Sequence, residues 1–401
     1  MTISTLSTRH HQTAELNMDQ IFAQAANNEN ISFGMGLPDD AIFPSAALAE
    51  AFNQAIQQEG ATIFQYHATQ GPLSLRQKIA TLTAEYFDFK PSPEHIIMTQ
   101  GGQQAIDIVG RAFLDKHDHI IVEAPTYMGA LDAFDSYEPT YHEVALESDG
   151  LDMVQLEATL QQFPETKFVY TIPDFQNPTG VTMSLAKRQQ LLALAGKYDF
   201  YVIEDSPYRY LRYSGTPLPS LAALDTHGRV ILVSSFSKIL SPALRTGWLV
   251  ANPELTALFL TIKSALDVQP SHLNLMAIDY FLSQHRMADH IAKIIENYRE
   301  KCWLMLDRLA ADMPAEVTFT QPEGGFFIWV TLPDTMDATA LLAGPVLTEG
   351  QVVYVPSEMQ YASRQVKNHF RLNFTGVTTE QIQTGVARLG EILQRQCATA
   401  Q

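Results

Sequence analysis

The stretch SSFSKILSPALRTGWL (234–249) places Lys238 just after an apolar run and among hydroxyl side chains. Ser235 and Ser237 offer donors to an anion, and Arg245 brings a guanidinium fork that grips a dianion through two bonds. A lone lysine is ordinarily a solvated surface group. A lysine set inside an anion cradle is instead a candidate nucleophile, able to form an imine with a carbonyl compound whose anionic group the cradle holds.

That pairing is what a pyridoxal 5′-phosphate enzyme requires, and it brings three further demands. The phosphate needs a helix N-terminus. MTQGGQQAIDIVGRAF (98–113) supplies one, with Gly101 and Gly102 letting the backbone come close and the N–H groups of Gly102 and Gln103 opening an amphipathic helix. Gly-Gly before a helix also occurs as a plain turn. The ring nitrogen needs a carboxylate to keep it protonated, and Asp205 ends the apolar run FYVIED (200–205). The alternative for Asp205 is capping a helix. The phenolate oxygen and ring faces need donors and a stacking partner. Asn177 in PDFQNPTG (173–180) and Tyr208 in EDSPYRYL (204–211) can donate. Tyr127 in EAPTYMGAL (123–131) can stack, with Pro207 covering the other face. An amino-acid substrate brings its own carboxylate. Arg371, inside the apolar pattern HFRLNFT (369–375), is costly there unless paired with that carboxylate or with a structural acid.

The elements that must position these groups follow from periodicity. HIIVE (119–123), KFVYTIP (167–173), FYVIED (200–205) and RVILVSS (229–235) read as buried strands. Helical patterns lie between them, such as 184–198 with Ser184 as N-cap. Strands alternating with helices predict an α/β fold with a mostly parallel sheet flanked by helices, binding its ligand at the strands' carboxyl ends. Residues 253 to about 312 read as mostly helical, interrupted near Pro270. The alternating segments 317–333, 351–356 and 369–374 and a last helix ending near Gln396 then predict a smaller α+β domain. The expected division is an N-terminal segment (1–45) on the small domain or a partner subunit, a large domain (46–285) and a small C-terminal domain (286–401).

The chain has 401 residues, 46% of them hydrophobic and 17% charged, enough for a sizeable core. Its formal net charge of −18 repels nucleic-acid phosphates and anionic lipid, so neither is an expected partner. No metal site is indicated. Two cysteines, Cys302 and Cys397, make no disulfide framework and fit a reducing compartment. With no signal-peptide pattern and no membrane-length apolar run, the expected location is the cytoplasm.

Taken in order, PTY, NPTG, EDSPY, SFSK with its following arginine, and FRLNF resemble the class I/II pyridoxal-phosphate aminotransferases of fold type I. Within that family the chain resembles the branch that contains 2-aminoadipate and kynurenine aminotransferases and the enzyme-like domain of MocR-type regulators. The resemblance runs from SFGMGLPDDAIFP (32–44) to the C-terminus. It implies that Lys238 is the imine-forming lysine and proton shuttle, Asp205 the pyridine-nitrogen partner, Asn177 and Tyr208 the phenolate donors, and Tyr127 the stacking ring. Gly102, Gln103, Ser235, Ser237 and Arg245 would form the phosphate cup. Arg371 would bind the substrate carboxylate and Gly36 would line the substrate pocket. Tyr66, in FQYHATQGPLSLR (64–76), resembles a tyrosine that reaches the phosphate of the neighbouring subunit, implying a homodimer with shared sites.

Three departures stand out, the first leaving the phosphate one hydroxyl contact short and the other two bearing on specificity. The phosphate loop reads Gly101-Gly102-Gln103, where Gly-Ser-Gln is frequent, and GMGLP carries Met35 where relatives have a first glycine. Asp19 stands where relatives acting on acidic side chains tend to have an arginine. These features favour neutral, aromatic or branched amino acids; 2-aminoadipate-like substrates, or a basic side chain drawn by Asp19, are the alternatives. The expected reaction is reversible, ping-pong amino transfer to a 2-oxo acid. Another reaction on the same cofactor (β-elimination, cyclisation or decarboxylation) is a second reading, and a non-enzymatic sensor domain a third. About 30 residues precede the resembling region, against the DNA-binding domain a regulator of this kind carries.

Overall fold

The computed structural model describes Gln24, Asn27 and residues 29–400. Its largest sheet has eight strands. In spatial order they are Ile96–Thr99, Gly247–Val250, Val230–Ser235, Tyr201–Asp205, Phe168–Thr171, His119–Ala124, Thr140–Glu147 and Gly150–Leu151. The five strands from Val230–Ser235 to Thr140–Glu147 run parallel. Gly247–Val250 is antiparallel to both its neighbours.

The central strands are short β-branched and aromatic runs, buried along nearly their whole length because helices cover both faces. From His119–Ala124 the chain moves outward to Thr140–Glu147, then returns to the opposite side of His119–Ala124 at Phe168–Thr171. That reversal opens a crevice at the strands' carboxyl ends. The loops bearing Tyr127, Asn177, Asp205 and Lys238 all leave the sheet at this end.

A second, antiparallel sheet has the order Thr318–Phe319, Phe327–Thr331, His369–Asn373, Val355–Pro356. Helices Met287–Asp312 and Thr379–Ala400 pack on one another beside it. The N-terminal strand Ile31–Ser32 pairs in parallel with Val352–Val353. Residues 34–37, which follow it, thereby come to lie across the mouth of the crevice, where Met35, Gly36 and Leu37 line it.

Ser184 caps helix Leu185–Tyr198 by accepting from the Lys187 N–H. The helical stretch after residue 252 resolves into Pro253–Asp267, His272–Gln284 and Met287–Asp312, broken at Pro270 as its ring geometry requires. Some strands of this sheet were not among those expected from the sequence. Thr140–Glu147 is mostly half-buried, and Ile96–Thr99 and Gly247–Val250 have four residues each. The segment 317–333 is two strands, because the Pro322–Gly325 turn interrupts the alternation.

Candidate active site

A cavity of about 470 Å³ opens at the strand ends. Its lining brings together Gly36, Gly102, Gln103, Tyr127, Asn177, Asp205, Tyr208, Ser235, Ser237, Lys238, Arg245 and Arg371. These come from five strand–loop junctions of the large sheet, the second sheet and the N-terminal segment. Pro207 and Met35 also line it. Tyr66 does not: it stands on the surface, 77% exposed. Asp19 lies outside the described residues.

At the anion end, helix Gly102–Phe113 starts at the cavity wall with its N–H groups unpaired, as at any helix start. Gly101 is required there. Its φ is +80°, and a Cβ on it would lie 2.8 Å from Nη2 of Arg245. Arg245 has a left-handed backbone of its own (φ 47°) and donates to the carbonyls of Pro242 and Gln100. It has no carboxylate partner among the described residues. Ser235 Oγ lies 2.8 Å from Ser237 Oγ and accepts from the Ser237 N–H. Two hydroxyls, a guanidinium and a helix start thus converge with no anion from the described residues to satisfy them.

Strand alternation decides which acid faces the cavity. Glu204 turns away and accepts from the N–H groups of Leu221 and Ala222, so it, not Asp205, does the capping. Asp205 points inward, 5% exposed, and its described partner is the Tyr170 hydroxyl at 2.6 Å. Burial pushes its carboxyl up to about 6, against the pull of that hydrogen bond.

Lys238 Nζ donates to the Gly36 carbonyl at 2.7 Å. Burial, and then the positive charges of Arg371 and Arg245, bring its ammonium down to about 8. Arg371 sits on strand His369–Asn373, 4% exposed. It donates to Asn177 Oδ1 and to the Gly34 carbonyl, both at 2.8 Å, and lies 4.2 Å from the Phe327 ring centre. Its Nε is buried with no partner, and burial lowers its guanidinium to about 10. A buried cation with an open donor and no counter-ion among the described residues can pair with a carboxylate that enters the cavity. The Asn177 amide nitrogen lies 3.4 Å from the Tyr208 hydroxyl. Tyr127 packs beside Gly129, and burial raises its phenol to about 12.

The model of the family described as aminotransferase class I and II matches residues 28–389. The chain belongs to the class I and II aminotransferases. It is 40% identical to aromatic-amino-acid aminotransferase 1 of Thermococcus litoralis, over 91% of this chain and 88% of that one. The crystal structure of Pyrococcus horikoshii kynurenine aminotransferase, in complex with PMP, superposes with a TM-score of 0.93 at 36% identity, covering 98% of this chain and 97% of that one. The α-aminoadipate aminotransferase LysN of Thermus thermophilus, complexed with N-(5′-phosphopyridoxyl)-L-leucine, has a TM-score of 0.89 at 33% identity and covers 98% of both chains. The fold is that of the fold-type-I enzymes, and transamination is the reaction class of this aminotransferase.

Several residues of the aminotransferase's cavity region escaped sequence reasoning. Tyr170, mid-strand in Phe168–Thr171, was visible only as part of an apolar run. Phe327, which carries the face beneath Arg371, read as one more core aromatic. Gln176 bridges the Glu123 carboxylate and the Pro125 carbonyl, tying the Asn177 loop to the Tyr127 loop. Asp132, on helix Met128–Asp135, also lines the cavity. Its position one turn after Met128, at i+4 on the helix that follows Tyr127, was the signal that could have found it.

Proposed function

We propose that this aminotransferase uses pyridoxal 5′-phosphate to move an amino group between a neutral, preferably aromatic, L-amino acid and a 2-oxo acid. The observation that carries the reading is that one cavity holds a depressed lysine, an inward aspartate and two cations, Arg245 and Arg371, that lack carboxylate partners.

The residues present fit that cofactor. Arg245, Ser235, Ser237 and the N–H groups of Gly102 and Gln103 would hold its phosphate. Asp205 would face its ring nitrogen, Tyr208 and Asn177 its phenolic oxygen, and Tyr127 its ring. Bound there, pyridoxal phosphate would supply a carbonyl for the substrate amine and a ring that spreads the negative charge left on Cα.

The chain's own groups do the rest. Arg371, with Asn177 behind it, fixes the substrate carboxylate and so the direction of the Cα–H bond. Burial and the two arginines bring Lys238 Nζ down to about 8, so its free amine can take and hold the substrate's Cα proton. Asp205 keeps a proton on the ring nitrogen through a short-range charge pairing worth about 1.4 kcal/mol per pKa unit. The 40% identity to an aromatic-amino-acid enzyme and the apolar side chains of Met35, Leu37, Met128 and Phe327 at the cavity support the aromatic preference.

On the same reading the chain divides into 1–45, 46–285 and 286–401, and works as a homodimer. Tyr66 then reaches the partner's phosphate, which fits its exposure and that of Phe64 beside it. No described helix is long and apolar enough to cross a membrane, and both cysteines are free and buried. We place the enzyme in the cytoplasm, without nucleic acid, in keeping with its −18 charge.

The test is a half-reaction. Protein loaded with pyridoxal phosphate and given phenylalanine alone should convert its absorbance once per site, and an added 2-oxo acid should restore it. Lys238→Ala should slow that conversion at least about 10³-fold, the scale of a lost general base. Repeated turnover releasing ammonia or carbon dioxide without an oxo acid would sink the assignment in favour of elimination or decarboxylation.

A further inference from the structure

Five charged side chains line the cavity: Asp205, Lys238, Arg245, Arg371 and Asp132. On the function proposed above, the first four are matched by the ring nitrogen, the substrate amine, the phosphate and the substrate carboxylate. Asp132 is left over. It sits one helical turn beyond Met128 on Met128–Asp135, on the stripe that also presents Gly129 to the cavity. Its side chain is exposed at the opening. Among the described residues it makes no hydrogen bond and no ion pair, whereas its neighbour Asp135 is engaged by Arg364 and the Tyr141 hydroxyl. Asp135 and Arg364 nearly cancel, so this end of the cavity keeps a net negative charge. The cavity that Asp132 shares also has an apolar lining, including Met35, Leu37, Met128 and Phe327.

We propose that Asp132 is a specificity-determining residue: it selects amino acids whose side chain ends in a hydrogen-bond donor and turns away those ending in a carboxylate. An apolar wall accepts the body of an aromatic side chain, and it neither rewards nor strongly rejects a hydroxyl. An unpaired carboxylate on that lining accepts from a donor and repels a second carboxylate. The two effects depend on different properties of the same group. Accepting a hydrogen bond needs only the oxygen, while repulsion needs the charge.

That separation gives the experiment. The loaded enzyme is mixed with tyrosine, phenylalanine or 2-aminoadipate, and kcat/KM for the half-reaction is read for the parent, Asp132→Asn and Asp132→Ala. Phenylalanine should react alike in all three, which also reports an intact fold. Asp132→Ala should lower the tyrosine-to-phenylalanine ratio about fivefold, and Asp132→Asn should hold most of it. Both variants should raise 2-aminoadipate relative to phenylalanine about tenfold. If both ratios are indifferent to both substitutions while all three amino acids react, this assignment falls and the transaminase reading stands. If the parent converts none of the three, both fall together.

Discussion

Asp174 and Asp205 are two buried carboxylates within one layer of the molecule, and they are treated in opposite ways. Asp174, 1% exposed, takes Arg188 at 2.8 Å and Arg209 at 2.6 Å, with Arg212 at 3.8 Å. Burial alone would raise its carboxyl, but the Arg188 and Arg209 guanidiniums outweigh that and hold it below its ordinary value. Asp205 has one neutral donor and is pushed up to about 6. The arginines show the same contrast. Arg188 has Asp174 and the carbonyls of Met183, Pro219 and Pro173, whereas Arg371 has an amide, one carbonyl and a free Nε. Where the chain saturates its own charges it is holding itself together. Where it leaves them open it is holding a place for something else.

Substituting the two arginines tests that contrast most severely. Arg188→Leu strips Asp174 of a partner and leaves three carbonyls unserved, and should cost about 3–5 kcal/mol in urea unfolding. Arg371→Leu removes an uncompensated buried cation and should leave the cofactor-free chain as stable as the parent or more so. Its kcat/KM should nonetheless fall about 10²- to 10³-fold for every amino acid, as when a buried charge contact is cut. Comparable stability losses for both variants would erase the distinction.

How much of this was legible beforehand follows from the same physics. Groups at strand ends were readable, because polar residues at or just past the end of an apolar run signal themselves: Asp205 closes its strand, Asn177, Tyr127 and Lys238 follow theirs, and all line the cavity. The alternation that sends Asp205 in and Glu204 out was not readable, since both faces of a doubly covered sheet are buried and leave no polar–apolar rhythm. The Asp174 cluster was hidden for another reason. Its arginines come from positions 188, 209 and 212 and meet only through the fold, and an arginine in sequence gives no hint of whether a carboxylate awaits it.

The aspartates themselves sharpen the comparison next, through pH. A carboxyl raised to about 6 contributes its full stability below its ordinary value of 3.8 and loses it as pH climbs through about 6. Above that, ionised Asp205 burdens the cofactor-free chain by about 3 kcal/mol, from two pKa units at about 1.4 kcal/mol each. Asp205→Asn should therefore stabilise the cofactor-free chain at pH 8 by up to that amount and do almost nothing near pH 4. Asp174, held below its ordinary value, has the opposite sign: it stabilises above that value, and Asp174→Asn should destabilise at pH 8. Melting curves of both variants at the two pH values check this. A gain for Asp205→Asn that does not vary with pH would show that desolvation is not what raises the group.

The smallest expected effect concerns the one donor that Asp205 does have. Tyr170→Phe keeps the ring against Phe134, edge-on with centres 5.9 Å apart, and removes only the hydroxyl. The lost hydrogen bond favours the ionised carboxylate, so without it the Asp205 carboxyl must rise further above about 6. In the cofactor-free chain Asp205 then keeps its proton over more of the acidic range. The pH at which its contribution to stability is lost should move upward by less than about one unit, the worth of a single hydrogen bond of about 1 kcal/mol, as read from melting curves taken across that range. A loss that stays at the same pH would mean that Tyr170 merely packs beneath the aspartate, and that burial alone sets the charge facing the cavity.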